Sequence, residues 1–162
     1  AVQPGDAVFV PAGTVHAISG GILLFEIQQT SDLTYRVYDY DRRDAQGNTR
    51  ELHLERALDV IDYAHSPEAL AVPQDLGDGR TLLVECPFFA MERWQLDSAT
   101  SRATDPSSFV ILTTVDGAAE LRWNSEAFSL QRGESIVLPA SLGAYELVPQ
   151  PAVTVLACFV PS

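Results

Sequence analysis

The sequence contains no lysine, which limits the chemistry that the chain can carry out by itself. All ten of its basic residues are arginine, against 22 acidic residues, so the formal net charge is −12. Nucleic acids and anionic membrane surfaces are bound through clustered Lys and Arg side chains, so this charge balance argues against both kinds of partner. Any step that needs an amine side chain must take it from outside these 162 residues.

Cysteine and long apolar runs are scarce as well. The two cysteines, Cys86 and Cys158, are far apart and form no Cys-x-x-Cys pair, so we predict reduced residues in the core. No apolar run approaches the ~20 residues of a membrane span. The chain begins Ala-Val-Gln-Pro without an initiator methionine, and we expect a fragment whose N-terminal part has been removed.

What the sequence does contain is a series of short apolar segments bounded by Gly and Pro. Residues 7–10, 22–28 and 34–41 are typical of strands, and similar segments recur in the second half of the chain. Those later segments are 81–86, 88–96, 109–115, 118–123, 127–130, 135–138, 144–148 and 152–160. Between the two groups, apolar residues at i, i+3, i+4 and i+7 from Leu54 predict one helix over 52–63.

This pattern predicts an all-β chain in two parts. Residues 1–63 form the first part with its helix, 64–80 are a Pro- and Gly-rich connector, and 81–162 form the second part. A weak repeat, Gly-x5-Pro at 5–11 and again at 133–139, suggests that a strand-turn-strand unit occurs twice. We therefore expect a partial barrel followed by a complete small barrel. The aromatic residues predicted to lie in its core are Phe88, Trp94, Trp123 and Phe128.

The segment from Gly5 to His16 places one histidine after a defined pair of turns. Gly5-Asp6 predicts a turn into a strand, Pro11 ends that strand because it cannot donate to the ladder, and Gly13 permits a second turn. His16 then opens the next strand, where its imidazole can point into the barrel mouth. Imidazole is the commonest metal ligand near neutral pH, but a lone histidine is more often structural, so the interpretation depends on the flanking spacing.

Two stretches of the sequence resemble known families. The spacing G-x5-P-x-G-x2-H of residues 5–16 resembles a motif of the cupins, which are small jelly-roll barrels. The longer run from Phe25 to Arg42, followed by Arg50-Glu51-Leu52-His53-Leu54, resembles type I mannose-6-phosphate isomerase in its shorter bacterial form. The resemblance is strong over residues 4–63 and weaker beyond, where the family carries a second, smaller cupin barrel. It implies an all-β double-stranded β-helix fold and the C-terminal half of that enzyme.

The resemblance implies roles for three residues of this chain. His16 stands where the family has the last of its zinc ligands, and Arg36 stands where it has an active-site arginine, in the pattern S-D-x-x-x-R. Asp32, in the same segment, is a weaker candidate for substrate binding or proton transfer. The family is cytoplasmic and zinc-dependent and interconverts mannose 6-phosphate and fructose 6-phosphate, so the expected substrate is a sugar phosphate. From the residues alone, Arg36 could instead belong to a surface charge ladder with Asp39, Asp41 and Arg42.

The expected zinc site is incomplete within this sequence. In the family, the other zinc ligands (a Gln, a His and a Glu) and an active-site lysine lie in segments that would precede residue 1, and a zinc site needs three or four protein ligands. His53 opens the predicted helix and His65 lies in the connector, so we expect both to be structural or exposed. The second barrel is expected to be metal-free, because Ala144 stands where the repeat would place a second His16.

Two alternatives stay open, together with an expectation about partners. The chain could be a cupin that binds a sugar or another protein without catalysis. It could also be another metal cupin, such as an oxygenase, which would leave the S-D-x-x-x-R and Y-D-Y-D-R segments unexplained. By itself, the chain is expected neither to isomerise mannose 6-phosphate nor to hold zinc tightly. Unpaired strand edges predict self-association through residues 6–28, or association with the missing N-terminal part.

Overall fold

The computed structural model describes residues 2–31, 33–64 and 70–161. They form two compact units. The sheet unit consists of Ala1–Ala7 with Leu70–Ser162, and the helix unit consists of Val8–Ala69. The sequence-based division at residues 63 and 80 stays a prediction.

The sheet unit contains eight strands within the described residues, all paired antiparallel. They are β1 (Gln74–Gly77), β2 (Arg80–Glu85), β3 (Ala90–Leu96), β4 (Thr100–Ala103), β5 (Val110–Trp123), β6 (Glu126–Gln131), β7 (Ser135–Leu138) and β8 (Ala144–Phe159). Their order is β1-β2-β3-β8-β5-β6, while β4 pairs with β8 and β7 pairs with β5. The predicted all-β class is thereby confirmed.

Two long strands replace four predicted short ones. The segments predicted at 109–115 and 118–123 are one strand, β5, because Asp116-Gly117 forms a bulge rather than a turn. Pairing between β5 and β8 shifts register on both sides of Gly117 and then continues. Residues 144–148 and 152–160 likewise merge into β8, so the prediction of separate strands was wrong at both places.

Strands β1 and β4 were not predicted. Strand β1 lies inside the segment interpreted as a connector, and Asp75 of β1 pairs with Thr81 of β2. The backbone turns between them through Gly77, Asp78 and Gly79, all of which have positive φ. The high glycine content here therefore serves a tight hairpin.

The core of the sheet unit is built from the inward-facing residues of β3, β5 and β8. Leu112, Leu121, Leu147 and Val155 are almost completely buried, at 1% exposure or less. The burial predicted for Trp94 is confirmed, and Trp123 packs against the same core. The prediction was wrong for two other aromatic residues, because Phe88 lies in the β2–β3 turn and Phe128 lies on the terminal strand β6, and both are exposed.

A polar cluster borders this core beside Trp94. The indole Nε1 of Trp94 donates to the buried carboxylate of Glu92 at 2.7 Å, and Arg80 Nη1 lies 3.7 Å from the same oxygen. The guanidinium of Arg102 lies over the Trp94 ring, 5.2 Å from its centre. The Glu92 carboxylate thus has a hydrogen-bond donor and a positive charge beside it, which offset part of its desolvation cost.

Both cysteines are free, as predicted. Cys158 is buried on β8, and burial raises the pKa of its thiol to about 11. Cys86 is half-buried in the turn after β2, so the prediction of a core position was wrong for Cys86 and holds for Cys158. Cys158 is therefore a neutral thiol at physiological pH and behaves as a small apolar residue.

The helix unit contains one α-helix in its described residues, α1 (Leu54–Val60). It is shorter than the predicted 52–63, because Ile61 is already extended and the N–H of Asp62 donates to the Gly13 carbonyl at 3.1 Å. Ala57 is its buried residue. No helix in the described part of the chain is long and apolar enough to cross a membrane.

The predicted strands of the helix unit are not formed. Over the described residues 8–31 and 33–64 the pairing is limited to isolated bridges, such as Arg43 with Thr49. A strand requires a partner for its backbone groups, and the apolar pattern of residues 22–28 finds none within this unit. Ile22, Leu23 and Leu24 are accordingly exposed, with Leu23 at 92% exposure.

Candidate active site

Arg36 is held at both its backbone and its side chain. Its N–H donates to Nδ1 of His53 at 3.1 Å, and its carbonyl accepts from the His53 N–H at 2.8 Å. Its guanidinium Nη1 donates to the Glu51 carbonyl at 3.1 Å, and Nε lies 3.8 Å from the Asp39 carboxylate. The side chain keeps 22% of its surface exposed. A guanidinium carries five N–H donors, so these contacts leave donors for an outside oxyanion.

Asp39 joins Arg36 to a second arginine. The Arg50 guanidinium binds both oxygens of the buried Asp39 carboxylate. Its Nε donates to one oxygen at 2.8 Å, and its Nη2 is in close contact with the other. This hydrogen bonding lowers the pKa of Asp39 below its usual value of 3.8, against the opposing effect of burial. The positive charges of Arg50, Arg36 and Arg42 lower it further. Asp39 is therefore a fixed negative charge beside Arg36 at neutral pH.

The two neighbouring arginines have local contacts of their own. Arg42 lies over the Tyr40 ring at 5.9 Å from its centre, and Arg43 donates to the Gly47 carbonyl at 2.8 Å. Of the predicted charge ladder, the structure thus contains the ion pair between Arg36 and Asp39. However, Arg36 also makes contacts with Glu51 and His53 that a simple surface ladder does not require.

His16 is exposed and follows the turn at Pro11 to Thr14. Its Nδ1 lies 2.9 Å from the Thr14 carbonyl, which can only accept, so the ring proton is on Nδ1. The lone pair is then on Nε2, and a backbone carbonyl on the other nitrogen is a common arrangement for a histidine that binds metal. The imidazole thus fits one ligand position of a zinc site.

The rest of a zinc site is not found in the described part of the chain. No group of three or more His, Cys, Asp or Glu side chains there could hold a metal ion. Two candidates from the sequence, Asp32 and His65, lie outside the described residues. The structure joins Arg36 to Asp39 and His53, whereas the hydrogen bond of His16 is made elsewhere, with Thr14.

The sequence pattern did not reveal His53 as a partner of Arg36. It placed His53 at the start of the helix, and the residue is indeed the N-cap of α1. The missed signal is the residue type, because Ser, Thr, Asp and Asn are the usual N-cap residues and histidine is not. A histidine at an N-cap indicates that the side chain has a partner other than the helix.

Comparisons with known proteins place the chain in one family. Residues 79–155 match the family model described as the cupin domain of mannose-6-phosphate isomerase. The chain is 38% identical over 148 residues to mannose-6-phosphate isomerase ManA of Bacillus subtilis, covering 90% of this chain and 47% of that protein. It is 36% identical over 146 residues to the mannose-6-phosphate isomerase of Streptococcus mutans, covering 90% and 46%.

Solved structures agree with the sequence matches. The Bacillus subtilis mannose 6-phosphate isomerase superposes with a TM-score of 0.70 at 28% identity, over 80% of this chain and 41% of that one. The apo form of the Salmonella typhimurium enzyme shares the fold with a TM-score of 0.57 at 20% identity, over 71% and 29%. The chain spans about half the length of the relatives that it matches in sequence. With its cupin domain over residues 79–155, the chain belongs to the mannose-6-phosphate isomerase family.

Proposed function

We propose that the chain is the C-terminal portion of a cytoplasmic, zinc-dependent isomerase that interconverts mannose 6-phosphate and fructose 6-phosphate. The observation that carries this proposal is the geometry of Arg36. Its guanidinium is fixed by the Glu51 carbonyl and the Asp39 carboxylate and stays partly exposed. The names of the relatives support the reaction, since both the Bacillus subtilis and the Streptococcus mutans proteins are mannose-6-phosphate isomerases.

The chemistry of the reaction explains why an arginine is suited to this position. Aldose–ketose isomerisation moves a proton between C1 and C2 of the sugar, and negative charge develops on the oxygens during the transfer. The planar fork of Arg36 can bind either this developing charge or the phosphate of the substrate through paired N–H groups. Asp39 and Glu51 hold the fork in place beforehand, so little reorganisation is required when the charge develops. Asp32 is proposed to bind the substrate in the same segment.

His16 is proposed as one zinc ligand, through its Nε2 lone pair. When bound, zinc supplies a Lewis acid that polarises a carbonyl and fixes the substrate oxygens. A zinc site needs three or four protein ligands, so the remaining ones, together with a catalytic lysine, are proposed to lie outside this chain.

The exposed apolar side chains of the helix unit support an association. Several large ones between residues 6 and 28 are 45% exposed or more: Val8, Val15, Ile18, Ile22, Leu23 and Leu24. Large apolar side chains exposed along one segment are the kind of surface that a partner would cover. We propose that the segment pairs with another part of the isomerase or with a second copy of this chain, and sedimentation of the pure chain at several concentrations tests self-association.

The zinc proposal is tested by replacing His16. In the intact isomerase, His16→Ala is expected to lower zinc content and turnover together, because the site loses one of its four ligands. The 162-residue chain alone is expected to show neither tight zinc binding nor turnover, since it provides one ligand. Zinc is measured by metal analysis, and turnover is measured from fructose 6-phosphate formed.

Three results would contradict this account. Full zinc occupancy in His16→Ala would exclude His16 as a ligand. Stoichiometric zinc with turnover in the pure chain would show that other groups complete the site. An intact protein that binds mannose 6-phosphate without converting it would favour the non-catalytic cupin.

A further inference from the structure

His53 is the N-cap of α1, yet its side chain makes no hydrogen bond to the helix. An N-cap side chain ordinarily accepts a hydrogen bond from an N–H in the first helical turn. The His53 imidazole instead accepts from the backbone N–H of Arg36 at 3.1 Å. It is only 21% exposed, and its ring lies 6.2 Å from that of Tyr35 at a tilt of 57°. The helix therefore has no side-chain cap at its N-terminus, and the His53 side chain binds Arg36 instead.

The direction of this hydrogen bond determines the form of the imidazole. A backbone N–H can only donate, so Nδ1 of His53 carries the lone pair and the ring proton lies on Nε2. Nε2 lies 3.9 Å from the carboxylate of Glu51. The contact to Arg36 therefore requires an acceptor at the Nδ1 position.

The segment from Glu51 to His53 contacts Arg36 at both ends. His53 binds the backbone of Arg36 through two reciprocal hydrogen bonds, of 3.1 and 2.8 Å. The Glu51 carbonyl accepts a hydrogen bond from the Arg36 guanidinium at 3.1 Å. Because Asp39 attracts the same guanidinium from 3.8 Å, the fixed backbone determines where the fork can lie.

We propose that His53 is a positioning residue of the isomerase, whose Nδ1 acceptor holds the Arg36 backbone so that the guanidinium meets the sugar phosphate in the productive orientation. This inference rests on the proposed function, because it requires Arg36 to act on the substrate. Small displacements of a positioned group have large kinetic effects, since misplacement by 1 Å can cost about 100-fold in rate.

The test compares two replacements of His53 in the intact isomerase. His53→Leu removes the acceptor, whereas His53→Asn places an amide oxygen close to the former Nδ1. We expect His53→Leu to lower kcat by about 10- to 100-fold, with a smaller change in KM, because a misplaced group slows the reaction. His53→Asn is expected to recover at least half of that loss on a logarithmic scale. Glu55→Gln, an exposed change in the first turn of α1, is the control and should match the wild type.

An independent measurement separates this inference from the proposed function. In the 162-residue chain, ¹⁵N NMR should show His53 with an unprotonated Nδ1 and a protonated Nε2. The opposite tautomer, or His53→Leu with kcat within twofold of the wild type, would overturn the inference and leave the proposed function standing. Equal losses in His53→Leu and His53→Asn would also overturn it, because they would indicate a general packing role. An inactive wild-type isomerase would overturn the proposed function, and the inference with it.

Discussion

Asp39 is the residue on which the arrangement around Arg36 depends most. It is buried, and it contacts both Arg36 and Arg50. Removing a buried carboxylate from between two guanidinium groups leaves like charges facing each other without compensation. The sequence indicated a charge ladder here, but it could not show that Asp39 is its buried member, because burial depends on how the turn around Tyr40 folds.

The lowered pKa of Asp39 makes its contribution to stability dependent on pH. A carboxyl whose pKa is lower in the folded state binds fewer protons there than in the unfolded chain. Its stabilisation is therefore fully present well above the unfolded value of 3.8 and is lost as the pH falls through the lower folded value. We expect Asp39→Asn to reduce the free energy of unfolding at pH 7 and to have much less effect at an acidic pH below the folded pKa of Asp39. Urea unfolding at both pH values measures this.

Asp59→Asn is the matched control, because Asp59 lies exposed on α1. Its effect on the free energy of unfolding should be small at both pH values. An effect of Asp39→Asn that is equal at neutral and acidic pH would contradict the linkage to the Arg50 contact.

At the scale of elements, the bulge in β5 is what allows one long strand to form. Gly117 has φ +70, and an added Cβ would lie well inside the contact distance of the Ala152 carbonyl oxygen on β8. From the sequence alone, Asp116-Gly117 predicts a turn. The structure has a bulge there because β5 continues to pair with β8 on both sides.

Replacing Gly117 is expected to disrupt the pairing of β5 with β8. Gly133 is the control, since its φ is +88 but a Cβ there would meet nothing within 4 Å. Gly133→Ala should cost ~1–2 kcal/mol, the penalty of a left-handed backbone for an L-residue. Gly117→Ala should cost about 1–3 kcal/mol more, because the backbone must also move apart. Thermal or urea unfolding measures both, and equal losses would contradict the close approach of the two strands.

The elements show where sequence patterns suffice and where they do not. Residues 135–138 form a strand as predicted, because the apolar run 136–138 follows the turn at Gly133 and pairs with β5. Residues 22–28 and 34–41 do not form strands, although their residue types favour strands. No strand in the described part of the helix unit pairs with them. Local propensity predicts which segments can be strands, whereas the available partners decide which ones form.

On the scale of the whole molecule, the chain combines a cupin domain with a segment that carries the candidate active-site residues. The family match covers residues 79–155, while Arg36 and His16 lie in the helix unit. The family and the all-β class were accessible from the sequence, because the motif around His16 and the run from Phe25 to Arg42 are specific. The contact between His53 and Arg36 was not, because it joins residues 17 positions apart through a backbone N–H.

The most direct test of the central claim is the rate at which the intact protein and its Arg36→Ala variant convert mannose 6-phosphate into fructose 6-phosphate. Arg43→Ala is the control, since Arg43 contacts the carbonyl of a neighbouring turn. The account predicts turnover by the wild type, wild-type turnover for Arg43→Ala, and a loss of about 100-fold or more for Arg36→Ala with its zinc content unchanged. Turnover in Arg36→Ala close to that of the wild type would contradict the proposed function of Arg36. Its role would then be a structural ion pair with Asp39.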